Sequence, residues 1–138
     1  LAASEMNKVK AVCTLAARAS ALKTNHFLSR GQMQELQHSG RVSFISRGRN
    51  LELTEAFFSD AEQYDLSLII ASLPQPLLVV HGDKDEIIPV ENAYKLQQYK
   101  STDTELAIIS GADHMFSQDE KRQKVVQRVA KWFKGVRE

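Results

Sequence analysis

The chain reads as α/β: a parallel sheet flanked by helices, with a helix–hairpin–helix insertion. Three observations predict this. Leu77-Leu78-Val79-Val80 is a continuous apolar run between Pro76 and Gly82, too short for a helix and patterned like a strand buried on both faces of a parallel sheet. Leu106-Ala107-Ile108-Ile109 repeats the pattern, and each run breaks directly into polar residues. These are His81-Gly82-Asp83-Lys84-Asp85 after the first and Ser110-Gly111-Ala112-Asp113-His114 after the second. Open α/β sheets carry their ligand chemistry beyond the carboxyl ends of the strands, so an acid and a histidine arrive at one rim. Finally, the stretch from Ala21 to Ser72 has a different texture, that of a long crossover of the kind that covers a site at a sheet rim.

Taken in order, Leu1 to Met6 reads as the last turns of a helix, and Val9 to Ala17 as a strand running into a loop at Arg18-Ala19-Ser20. Gln32 to His38 is a short helical piece stopped by Gly40 at a C′ position. Val42–Ser46 and Leu51–Leu53 flank Arg47-Gly48-Arg49-Asn50 and predict a hairpin. Thr54 offers an N-cap for a helix over Glu55 to Tyr64, with Ala56, Phe57 and Phe58 available for burial. Leu66 to Leu73 is a further apolar helical stretch, ended by Pro74 and Pro76. Val90 to Lys100 is helical, with Val90, Ala93, Tyr94, Leu96 and Gln97 near one face. Thr104 to Ile109 is the third strand of the sheet. Gln118 to Val136 is the last helix, in which Val125, Val126, Val129, Trp132, Phe133 and Val136 recur at three-four spacing. Asp119 and Glu120 at its start and Lys131 and Lys134 near its end complement the helix dipole.

Composition narrows the classes. The 138 residues suit a single domain; 43% are hydrophobic and 25% charged, and the formal net charge is +1. Nothing in that balance pulls the chain towards nucleic acid or an anionic membrane. The basic face of the last helix (Lys121, Arg122, Lys124, Arg128) reads as a solvated surface, because no aromatic or Gly-rich binding elements accompany it. No run approaches the length of a membrane span. The single cysteine, Cys13, excludes an internal disulfide and fits a reducing, cytoplasmic compartment; within its apolar run it reads as a small buried hydrophobe. The opening Leu1-Ala2-Ala3-Ser4-Glu5 looks like the middle of a helix, so the chain is expected to be a fragment.

Asp85 and His114 stand 29 positions apart, with one helix and one strand between them. A single crossover therefore brings the two loops together. A carboxylate bonded to one imidazole nitrogen fixes the tautomer and leaves the other nitrogen free as a general base. That is two thirds of a nucleophilic triad, in the order acid then histidine.

Leu77 to Val90 resembles the acid-bearing strand and loop of α/β-hydrolases, and Ile108-Ile109-Ser110-Gly111-Ala112-Asp113-His114-Met115-Phe116 resembles their histidine loop. The helix ending in Trp132-Phe133 fits as well. The resemblance is closest to the esterase, lipase and serine-aminopeptidase-like branch and covers Pro74 to Lys134, while Val9 to Ala17 looks like the strand after the nucleophile helix. It implies the C-terminal portion of an α/β-hydrolase sheet with residues 21–73 as a cap-like crossover. The triad acid falls on Asp85 and the base on His114. Asp83, the rival acid, matches a position that shapes the turn, and His81 one that holds the loop by hydrogen bonding. The implied substrate is a small ester or related acyl compound, with no cofactor and no metal.

One departure is large. None of the six glycines belongs to a Gly-x-Ser-x-Gly elbow, and Ser4, Ser20, Ser46, Ser110 and Ser117 lack elbow context. The elbow is expected just upstream of Leu1. The missing N-terminal half of the fold, or a second copy joined through the exposed strand edge, is the expected macromolecular partner. Other readings stand beside this one. Asp83-Lys84-Asp85 after a strand resembles haloacid-dehalogenase-like phosphatases, but His81-Gly82 intrude, Ile87 replaces the expected Thr or Val, and no later acidic pair for Mg²⁺ follows. A metal site from His81, Asp83, Asp85 and His114 matches no defensible spacing. A non-catalytic binding or scaffold domain, with acid and histidine as relics, is the third.

Overall fold

The computed structural model describes residues 8–21, 23–24, 28–46 and 48–136; the helical turns expected over Leu1 to Met6 lie outside them. The chain divides into two compact units, Leu1–Ser20 with Leu66–Glu138, and Ala21–Asp65.

The first unit is built on a three-stranded parallel sheet. Strand β1 is Val12–Leu15 and β4 Leu77–Gly82, with β5 spanning Thr104–Ile109, in the order β1-β4-β5. Val12 pairs with Leu77 and Leu15 with Val80, and on the other side Leu77 pairs with Thr104 and Gly82 with Ile109. The sheet is parallel and follows chain order, as expected. Strand β1 is shorter than the Val9–Ala17 predicted. Its ladder starts only where β4 starts, after Pro76, and Ala16 leaves the strand at φ 48°.

All six residues of β4 are buried, and alternate side chains serve two cores. Leu78 and Val80 face Ile109, Ala112, Phe116, Val125 and Trp132, where helix α5 (Asp119–Val136) packs. Leu77 and Val79 face Ala93 and Leu96 of α4 (Glu91–Tyr99), and Leu73 just after α3 (Leu66–Ala71). Cover on both faces is why the run is apolar without alternation. Helix α5 buries a narrower stripe than its spacing predicts: Val125 and Trp132 are buried, whereas Val126 is 58% exposed on the stripe's far flank. In α4 likewise, Tyr94 points outward. The basic face of α5 is largely neutralised, with Arg122 paired to Asp119, Lys124 to Glu120 and Arg128 to Glu105. Cys13 is half-buried against the α5 core, and burial raises its thiol pKa despite Arg128.

The second unit holds α1 (Arg30–Ser39), the antiparallel hairpin β2 (Arg41–Ser46) and β3 (Arg49–Thr54), and α2 (Glu55–Glu62). Helix α1 opens with a capping box, Ser29 with Gln32, and closes on Gly40 at φ 72°. The hairpin turns at Gly48, also at φ 72°, a conformation that costs glycine little. Leu28, Leu36, Val42 and Phe58 form its core. Phe57 and Ala56 are exposed rather than buried, because three successive residues of a short helix cannot share one face. Thr54 stands at the N-cap position, but its side chain makes no capping bond; it is still the last residue of β3, paired with Arg41. Among the described residues no helix is long and apolar enough to cross a membrane.

Candidate active site

The site lies where β4 and β5 end. Strand β4 delivers His81, and the turn after it Asp83 and Asp85; β5 runs into Ser110-Gly111-Ala112-Asp113-His114. The two loops are tied together along their length. Asp83 N–H donates to the Ile109 carbonyl at 3.3 Å and Lys84 N–H to the Ala112 carbonyl at 3.0 Å. The Asp83 carboxylate accepts from Gly111 N–H at 2.6 Å and from the Ser110 hydroxyl at 3.2 Å. Asp83 thus shapes the turn as expected, and in doing so clamps the histidine loop.

Asp85, not Asp83, meets His114. The Asp85 side chain is fully enclosed, and its Oδ2 lies 2.9 Å from His114 Nδ1. Its other oxygen, Oδ1, accepts from Ile87 N–H at 2.9 Å and Ile88 N–H at 2.7 Å. Burial pushes the Asp85 carboxyl upward, but the bonds from Ile88, His114 and Ile87 outweigh it, and the group stays below the usual carboxylate range. As a carboxylate only accepts, the proton between the pair sits on His114 Nδ1, which leaves Nε2 with its lone pair. The His114 side chain keeps 28% exposure. It lines a depression of about 420 Å³ with Lys84, Glu86, Ile87, Asp113 and Met115.

The segment after the histidine is also held. Asp113 accepts from the Ser117 hydroxyl and, at 2.8 Å, from Ser117 N–H, bonds that lower its pKa. Phe116 takes φ 49°, rare for a non-glycine residue, with its ring buried among the α5 core residues. Of the serines weighed from the sequence, Ser110 and Ser117 therefore spend their hydroxyls on Asp83 and Asp113, and Ser4 lies outside the described residues. No cluster of three His, Cys, Asp or Glu among the described residues could hold a metal ion; His81 and His114 face Asp85, and Asp83 is engaged with Ser110 and Gly111.

Sequence reasoning missed two contacts. His81 holds the loop, with Nε2 2.8 Å from the Ile88 carbonyl, but the same nitrogen also stands 3.1 Å from Asp85 Oδ2. Lys100 is buried, its Nζ donating to the Leu73 carbonyl at 2.9 Å and fixing the entry to β4. Neither partner is adjacent in sequence, and no motif marks them.

Comparison with known proteins places the chain in a family. Residues 23–137 match the prolyl oligopeptidase family. The chain belongs to that family. Over 63 residues, 45% of this chain and 22% of the other protein, this prolyl oligopeptidase family member is 38% identical to a monoacylglycerol lipase of Mycolicibacterium smegmatis. The esterase domain of a Rhodothermus marinus protein superposes with a TM-score of 0.72 at 25% identity, covering 94% of this chain and 53% of that one. Mouse alpha/beta hydrolase domain-containing protein 10 shares the fold, at TM-score 0.71 and 21% identity over 94% of this chain and 54% of its own. The family member described here thus has the α/β-hydrolase fold and spans about half the length of these solved structures. Family membership also removes the haloacid-dehalogenase-like reading.

Proposed function

We propose that this chain supplies the acid and the histidine of an ester hydrolase, with Asp85 as the acid and His114 as the base. The observation that carries the reading is the 2.9 Å bond from His114 Nδ1 to Asp85 Oδ2, made by two loops at the carboxyl ends of adjacent strands. The esterase and lipase names of relatives support the substrate class.

In this reading His114 Nε2 takes the proton of a serine hydroxyl as that oxygen attacks the acyl carbon. Asp85 stabilises the imidazolium so formed. The imidazolium then returns the proton to the departing alkoxide, leaving an acyl-enzyme. Water repeats the sequence and releases the acid. The serine and the oxyanion donors come from a Gly-x-Ser-x-Gly segment that these 138 residues do not contain.

The test uses the protein that carries this chain together with such a segment, assayed on p-nitrophenyl esters. Asp85→Asn should lower kcat by about 10⁴-fold and His114→Ala by about 10⁶-fold, each in a protein that still unfolds cooperatively. Turnover that survives His114→Ala in a folded protein would overturn the roles given to this pair, and a folded wild-type protein without turnover would favour a binding or scaffold role.

A further inference from the structure

Asp85 Oδ2 stands between two imidazoles, not one. His114 Nδ1 approaches it at 2.9 Å and His81 Nε2 at 3.1 Å. His81 Nε2 is also 2.8 Å from the Ile88 carbonyl. Both neighbours of this nitrogen are acceptors, so it carries a proton; its hydrogen bond goes to the Ile88 carbonyl, and Asp85 Oδ2 is a close electrostatic neighbour. The Ile88 N–H in turn donates to Asp85 Oδ1. His81 therefore holds the carbonyl of the same residue whose N–H holds Asp85 Oδ1, a two-bond link from the end of β4 to the carboxylate.

The place of His81 in the fold makes this link stiff. It is a fully buried residue of β4, paired through β5 with Ile108, so its ring cannot follow the loop if the loop moves. Its Nδ1 is buried with no hydrogen-bond partner. An apolar side chain of similar size would avoid that cost, and packing alone does not explain a histidine here.

We propose that His81 is a positioning residue for the Asp85–His114 pair. By anchoring Ile88 it fixes the N–H that holds Asp85 Oδ1, so that Oδ2, and not Oδ1, faces His114. Without that donor the Ile88 carbonyl loses its anchor, the bond from Ile88 N–H to Oδ1 slackens, and the carboxylate can turn so that Oδ2 moves off the imidazole. The ring of His114 then loses its single tautomer. The inference rests on the proposed roles of Asp85 and His114.

The experiment has a readout besides turnover. In the full-length protein with ¹⁵N-labelled histidine, the His114 Nδ1–H resonance is assigned by its loss in His114→Gln. It is then followed in His81→Leu, His81→Asn and His81→Gln. The amide of Gln reaches the site of Nε2, whereas the amide of Asn falls short. His81→Leu and His81→Asn should broaden or shift the His114 Nδ1–H signal and lower kcat 10- to 100-fold, about one to two powers of ten in rate, with KM within about twofold. His81→Gln should restore the signal and most of kcat. If His81→Leu does not fold, the Asn and Gln variants decide between themselves. An unchanged signal and kcat in folded His81→Asn would overturn the proposal. Ester turnover surviving in His114→Gln would instead overturn the assigned function, while the response of the Nδ1–H signal to His81 would still report whether His81 sets the pair.

Discussion

Gly82 lies directly against the carbonyl of Ala112: a Cβ built on Gly82 would come 2.2 Å from that oxygen. The same carbonyl accepts from Lys84 N–H at 3.0 Å, so the bare Cα is what lets the acid loop and the histidine loop close on each other.

Gly82→Ala must therefore part the two loops. We expect a loss of at least about 1–3 kcal/mol, the usual range for overpacking, because backbone is the obstacle and no side chain can rotate away. The pairing of Asp85 with His114 should loosen with it. Gly31→Ala is the control: it lies in the first turn of helix α1 with nothing within 4 Å of the added carbon and should stabilise by less than the roughly 0.5–1 kcal/mol of a mid-helix position. Urea titrations of both variants measure the two signs.

Asp85 makes a pH prediction. Its pKa is lowered in the folded chain, burial being outweighed by the bonds from Ile88, His114 and Ile87. A depressed acid contributes stability that is present above the unfolded value, about 3.9, and is lost as pH falls through the lower folded value. Wild-type stability should therefore fall on acidification below about pH 4, and Asp85→Asn should flatten that fall while lowering stability at neutral pH. Asp113 and Glu120 shift the same way, but they face solvent, where screening leaves such groups little weight. Denaturant midpoints measured from pH 3 to 7 test this; an acid limb unchanged in Asp85→Asn would contradict it.

Much of this was legible in the sequence, and the residues show why. Leu77 to Val80 and Leu106 to Ile109 could be read as strands because burial on both faces leaves no polar position, and the acid and histidine followed from where those runs stop. The boundary of β1 could not be read, since it depends on where Pro76 lets β4 begin. Three-four spacing admitted Val126 to the α5 stripe together with Val125, yet only the contact with β4 decides which flank is covered. Ser29 and Gln32 spelled a capping box, but Gly31 between them hid the helix start. Thr54 looked like a cap and is engaged in the hairpin instead. The double contact on Asp85 Oδ2 depends on a ring at the end of one strand bending back over its own loop, which spacing alone does not reveal.

The order β1-β4-β5 leaves β1 with a strand partner on one side only among the described residues. Its far edge offers backbone groups without a ladder, and Leu15 at its end is 51% exposed. Such an edge invites pairing with another chain. The relatives are about twice as long, and we propose that further strands cover this edge in the longer protein. Purified alone, the 138-residue chain should then associate with itself, its mass by light scattering rising with concentration. Leu15→Lys should reduce that association with little change in stability, because a side chain already half in solvent loses little packing and a charge on an edge opposes pairing. Adding a polypeptide that carries the sheet strands of the longer protein should compete with self-association. A chain that stays monomeric at high concentration, with Leu15→Lys indistinguishable from it, would mean that the β1 edge is not an association surface.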